Sequence, residues 1–234
     1  MDWGRTLNRS VLIVMLTGFL GCSTWSVAEL PGPTGSFDAF LIQWERSRPG
    51  DRRVESFPNV ANLLAGPQPM LALYREDVTN RAVTEFFIAL TGSAETALPI
   101  LYHADRNNVS LSLAFALTWV ESLYSPTAVN QNPTSIDRGL WQLNSLSFPN
   151  LREEDFFNPD VNSRHGAAYL RRCLDLGSDE RTALAIYNAG LTRVRRNEIP
   201  PTTVRYVERV TAYQRSIEAR FNRYMTQRFP PDPA

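Results

Sequence analysis

Between residues 111 and 120 the chain reads Leu-Ser-Leu-Ala-Phe-Ala-Leu-Thr-Trp-Val, its most apolar stretch outside the N-terminal leader. A helix that is apolar on nearly every side has to be enclosed by other elements. Ten residues are also too few to cross a bilayer, which takes about 20. The segment therefore calls for a globular shell built around it. Glu121 follows directly, and Pro126 predicts a helix stop within two turns. A carboxyl at the C-terminal end of a buried helix meets two influences that disfavour its charge. Burial disfavours the anion, and so does the negative end of the helix dipole. Both push the pKa up, as a general acid requires near neutral pH. The other reading is a Glu that leaves the helix end for solvent.

Composition narrows the chemistry. The formal net charge is zero, which argues against a nucleic-acid binder. All 24 basic residues are Arg, so chemistry that needs a lysine amine is excluded; the bias itself reads as genomic composition. The chain has 234 residues, 43% of them hydrophobic, enough to bury a sizeable core. His103 and His165 stand alone and far apart, and the two cysteines, Cys22 and Cys173, form no metal-ligand spacing. No metal and no cofactor is predicted.

The first residues read as an address. Arg5 and Arg9 precede an apolar run from Val11 to Leu20, too short for a membrane span and suited to a secretory signal over 1–21. The run ends at Phe19-Leu20-Gly21-Cys22, which resembles a bacterial lipoprotein cleavage box, with Cys22 the lipidated residue; an ordinary secretory signal is the alternative. Residues 22–35 carry Pro31, Gly32, Pro33 and Gly35 and read as a tether. Residues 36–91 are predicted as a helical extension. Prolines break 50–70 into loop with short turns, and a helix runs from Asp77 to Leu90, ended by Gly92. A further helix covers Ala97 to Asp105. No run alternates with period two, so the expected class is mainly α, with a domain over 92–228 and a disordered tail at 229–234.

Four blocks then follow in order: Glu121-Ser122 with Pro126 shortly after; Gly139-Leu140-Trp141-Gln142-Leu143-Asn144; Ala185-Ile186-Tyr187-Asn188-Ala189-Gly190; and Arg205-Tyr206-Val207. Together they resemble the soluble lytic transglycosylases of the goose-lysozyme-like superfamily, over roughly residues 95–217. The resemblance implies a lysozyme-like helical domain whose substrate is the peptidoglycan glycan strand, in the periplasm of the bacterial cell envelope. It implies that Glu121 alone acts as acid and then base. The sugar's own 6-hydroxyl closes onto the anomeric carbon to give a 1,6-anhydro end, and the acetamido group can assist.

The same resemblance implies substrate-binding roles for Ser122, Asn130, Gln142, Asn144, Tyr187, Asn188 and Tyr206. Asn130 stands where many relatives carry a Ser, and Asn144 where many carry Met. Ser122 reads equally as a small helix-end residue, Asn188 as a turn holder, Trp141 as core, and Gly139 as the tight start of a short helix. Ser178 is a candidate N-cap for the helix carrying Tyr187. Tyr206, Val210, Tyr213 and Ile217 share one face of a closing helix. Residues 191–228 hold nine Arg against Glu198, Glu208 and Glu218. That basic surface suits peptidoglycan carboxylates, anionic lipid headgroups or plain solvation.

Two rival readings remain. A hydrolysing lysozyme needs a group to position water, for which Asp137 is the candidate, although it reads first as a turn residue. A catalytically inactive peptidoglycan-binding lipoprotein is the other.

Overall fold

A computed structural model of the chain describes residues 59–230. The signal segment, Cys22, the tether and residues 36–58 of the extension lie outside the described residues. The element order is α1 (Val60–Leu64), α2 (Pro69–Arg75), α3 (Asp77–Thr91), α4 (Ala94–Arg106), α5 (Leu111–Ser122), β1 (Val129–Gln131), β2 (Ile136–Arg138), β3 (Leu143–Asn144), α6 (Glu153–Phe157), α7 (Pro159–Leu176), α8 (Glu180–Ala189), α9 (Leu191–Arg195) and α10 (Pro201–Arg228). The fold is mainly α, as the sequence predicts. None of the described helices is long and apolar enough to cross a membrane.

Helix α5 is the centre. Every residue from Leu111 to Thr118 is buried, and only Trp119 and Glu121 keep partial exposure along its length. Its polar side chains cause no loss. Thr118 donates its hydroxyl to the Ala114 and Phe115 carbonyls, and Ser122 donates to the Thr118 carbonyl. The long helix α10 packs along α5, so that Trp119 stacks on Tyr213 with ring centroids 4.2 Å apart. Helices α1 to α3 join the same core: Phe87 of α3 stacks on Phe115 of α5 at 4.1 Å, and Phe86 meets Phe221 of α10 edge-on at 5.1 Å. Each such aromatic stabilises by about 1.5–3 kcal/mol through burial. The basic character of the closing segment lies outward, with Arg195, Arg196, Arg205, Arg215, Arg220 and Arg223 all exposed.

Several local expectations need correction. Helix α5 ends at Ser122, before Pro126, because Leu123 takes a left-handed conformation (φ 54°) and its N–H closes onto the Trp119 carbonyl. Short strands do exist. Three of them pair antiparallel in the order β1-β2-β3, with Asn130 opposite Asp137 and Asp137 opposite Asn144. At two or three residues each, they are too brief for alternation to register. Gly139 opens a tight turn between β2 and β3, not a helix, with φ 77°. Asp179, not Ser178, caps α8, accepting from the Thr182 N–H at 2.8 Å. Phe229 is buried against the core, so the ordered chain runs past the boundary expected for the tail.

Helix α7 presses on the turn after β2. A Cβ at Gly166 would collide with the Trp141 ring, which is wholly buried. Gly166→Ala is therefore expected to destabilise the fold by about 1–3 kcal/mol, the usual cost of overpacking. Urea unfolding measures it, and a change below about 0.5 kcal/mol contradicts this packing.

Candidate active site

Glu121 projects from the last turn of α5, ahead of two consecutive left-handed residues, Leu123 (φ 54°) and Tyr124 (φ 62°). Non-glycine residues rarely adopt this conformation, and such strain persists where the surroundings enforce it. The chain is thereby turned sharply away, and the carboxyl is left at the edge of the core, half-buried.

Tyr206, on the inner face of α10, donates its hydroxyl to Glu121 Oε1 at 2.6 Å. Burial dominates the acid's titration and pushes it up from 4.5 to about 8. The Tyr206 hydrogen bond works against that rise, the negative charge of Asp137 adds to it, and Arg209 opposes it. Tyr187 of α8 belongs to the same neighbourhood. Burial raises its phenol, and the charge of Glu121 raises it further. Its hydroxyl donates to the Trp141 carbonyl at 2.9 Å, tying α8 to the turn after β2.

The sheet supplies the third side. Asn130, Asp137 and Asn144 sit in register across the three strands, and side chains in register share a face. Asn130 Nδ2 donates to Asp137 Oδ2 at 3.2 Å, and Asn144 Nδ2 to Oδ1 at 2.7 Å. Asn132, just past β1, donates to Oδ2 at 2.8 Å. Asp137 is thus the middle residue of a strand and the focus of three amides, which corrects its reading as a turn residue.

The turn itself is held from α7. Asn162 accepts from the Trp141 N–H and donates to the Arg138 and Phe156 carbonyls, while Trp141 Nε1 donates to Ser163 Oγ. A Cβ at Gly139 would strike Asn162 and the Phe156 carbonyl, so only glycine fits there. Gln142, also left-handed at φ 47°, donates its amide to the Ala128 and Gly139 carbonyls.

The predicted residues therefore separate. Glu121 and Tyr206 are in contact; Tyr187 feels the acid's charge; Asn130 and Asn144 meet around Asp137. Gln142 spends its amide N–H groups on its own turn. Ser122 is buried with its hydroxyl returned to α5. Asn188, exposed at the end of α8, accepts from the Thr203 hydroxyl at 2.7 Å and fastens the start of α10. Sequence reasoning missed Asn132, Arg209, Asn162 and Thr203. Of these, only Asn132 left a signal, its i, i+2 spacing from Asn130. Among the described residues no group of three or more His, Cys, Asp or Glu side chains could hold a metal ion. His103 is buried against Asp160, 2.6 Å away.

A raised acid has a consequence for stability. In the unfolded chain the Glu121 carboxyl ionises around 4.5; in the fold it does so around 8. Between those values the folded state holds a proton that the unfolded state has released, so stability falls as pH rises. Glu121→Gln is expected to raise the melting temperature, by an amount that is small at pH 4 and grows up to about pH 8. Calorimetry across that range checks it, and a pH-independent difference contradicts it.

No curated protein matches the chain. Residues 99–203 match the family model described as the transglycosylase SLT domain. The span runs from α4 to the start of α10 and takes in Glu121, the sheet and Tyr187, and Tyr206 follows three residues later. Over those residues the chain is similar to the transglycosylase SLT domain.

Proposed function

We propose that the protein is a peptidoglycan lytic transglycosylase that cleaves the β-1,4 bond between N-acetylmuramic acid and N-acetylglucosamine, with Glu121 as acid and then base. The observation that carries this reading is the Glu121–Tyr206 contact. A carboxyl raised to about 8 is protonated at neutral pH and still able to give up its proton.

The reaction proceeds in two steps. Glu121 passes its proton to the glycosidic oxygen as the bond to the anomeric carbon breaks, and the bonding electron pair leaves with that oxygen. The anomeric carbon becomes cation-like while Glu121 becomes a carboxylate. The 6-hydroxyl of the same muramoyl residue then attacks the anomeric carbon, and its proton returns to Glu121. No water is consumed. The attacking group is already part of the sugar, so the closure has the advantage of an intramolecular reaction. The Tyr206 hydroxyl steadies the carboxylate formed between the steps, because a hydrogen bond to an anion is stronger than one to a neutral acid. The arginines on the outer surface of the C-terminal segment suit the carboxylates of peptidoglycan stems. The cell envelope is the site of action, with a lipid on Cys22 as the anchor.

Mass spectrometry of fragments released from purified sacculi tests the reading. Muropeptides ending in 1,6-anhydro-N-acetylmuramic acid are expected; reducing ends would assign a hydrolase. Glu121→Gln is expected to abolish release while the fold and glycan binding persist, and unchanged digestion by that variant rejects the assignment. Tyr206→Phe removes the hydrogen bond that lowers the acid's pKa. The alkaline limb of its pH–rate profile is therefore expected to move to higher pH, with kcat reduced about 10- to 100-fold. A limb that stays put or moves down contradicts the role given to Tyr206.

A further inference from the structure

A transglycosylase with one acid needs no second carboxylate, yet this chain builds one with care. Asp137 occupies the centre of the middle strand, and side chains from three separate positions converge on it. Asn132 and Asn130 donate to Oδ2 at 2.8 and 3.2 Å, and Asn144 donates to Oδ1 at 2.7 Å. All three are amide N–H groups, so both oxygens are met by donors. That arrangement suits an anion, whose negative charge each donor stabilises. Two of the three asparagines are themselves braced. Asn132 Nδ2 also reaches Ser135 Oγ, Asn144 Nδ2 reaches the same hydroxyl, and Asn144 Oδ1 accepts from the Leu146 N–H.

Among the described residues no cation pairs with this charge. The neighbouring Arg138 turns instead to Glu153, 3.8 Å away, and lies over the Phe156 ring. Amide dipoles fix the carboxylate in place but leave its net charge intact. The field is felt across the site, at both Glu121 and Tyr187. A purely structural residue at the middle of a small sheet has no need of an uncompensated charge. Fixed dipoles and charges aimed where charge develops in a transition state form the largest class of catalytic contribution.

We infer that Asp137 is a second functional carboxylate of this site, held by Asn130, Asn132 and Asn144 so that its charge stabilises the positive charge developing at the anomeric carbon. The inference rests on the reading of Glu121 as the acid of glycan cleavage. Asp137 forms no bond to the sugar in this scheme: the 6-hydroxyl remains the attacking group, and the products keep anhydro ends. The carboxylate also lengthens the pH range of the acid, because it sits opposite the groups that lower it. The charged and titratable groups around Glu121 are Tyr206 and Arg209 from α10, Tyr187 from α8 and Asp137 from β2. Of these, Asp137 supplies the negative charge.

The test compares the full-length protein with Asp137→Asn and Asp137→Ser on soluble, uncrosslinked glycan strands, measuring kcat and KM against pH and analysing the product ends. The expected result is a fall in kcat of about 100-fold, the scale of losing one preorganised electrostatic group. KM should change by less than about threefold, and residual products should still be anhydro-ended. The alkaline limb of kcat should move to lower pH, because the charge that held the Glu121 proton is gone. A kcat within threefold of the parent, a limb that does not move, or two variants that both fail to fold overturns the inference and makes Asp137 a brace of the sheet. These outcomes are separable from a failure of the main reading, which would appear in the parent protein as reducing ends or in Glu121→Gln as retained turnover.

Discussion

The whole arrangement depends on where α5 ends. A helix buried along its length forces its neighbours to close round it, and the residue at its terminus is then held at the boundary between core and solvent. Leu123 and Tyr124 turn the chain away in left-handed conformations. Glu121 is left with protein on most sides and one hydrogen bond, from Tyr206. Burial is the largest influence on this acid and holds it in its protonated form. The Tyr206 hydroxyl and the Arg209 charge restrain the rise, Asp137 adds to it, and the balance falls at about 8. Burial thus sets the acid's titration, and the neighbouring hydroxyl and charges adjust it.

Three parts of the chain far apart in sequence meet at this point. Helix α10 brings Tyr206, α8 brings Tyr187, and the small sheet brings Asp137 with its three amides. Rigidity is supplied from behind. Asn162 clamps the turn between β2 and β3 through two backbone groups and ties it to the Phe156 carbonyl of α6, Trp141 fills the space against Gly166, and Thr203 ties the start of α10 to Asn188. Each of these supporting side chains fixes an element that does the positioning. The helices that precede the matched domain join its core through Phe86 and Phe87, so the stability of the site extends beyond the span the family model covers.

Much of this was legible in the residues. The apolar run of 111–120 identified the central helix and, with it, the carboxyl at its end. The spacing of Tyr206, Val210 and Ile217 marked the inner face of α10, and all three are buried. The strands escaped notice because sheets of two- and three-residue strands carry no periodic signature. Asp137 was misread for the same reason, since a residue flanked by Pro133 and Gly139 looks like part of a turn until its cross-strand partners are known. Ser122 and Gln142 illustrate a different limit. Their types suit sugar contacts, but a hydroxyl can return to its own helix and an amide to its own turn, and only tertiary geometry separates those fates.

The most direct check on the central claim is the titration of Glu121 itself, followed by carbon-13 NMR of side-chain carboxyls, with the resonance identified by its loss in Glu121→Gln. The account predicts a midpoint near 8, far above the ordinary carboxyl value of 4.5. A midpoint near 4.5 would mean that the carboxyl is ionised at neutral pH and has no proton to give, and the account would be wrong.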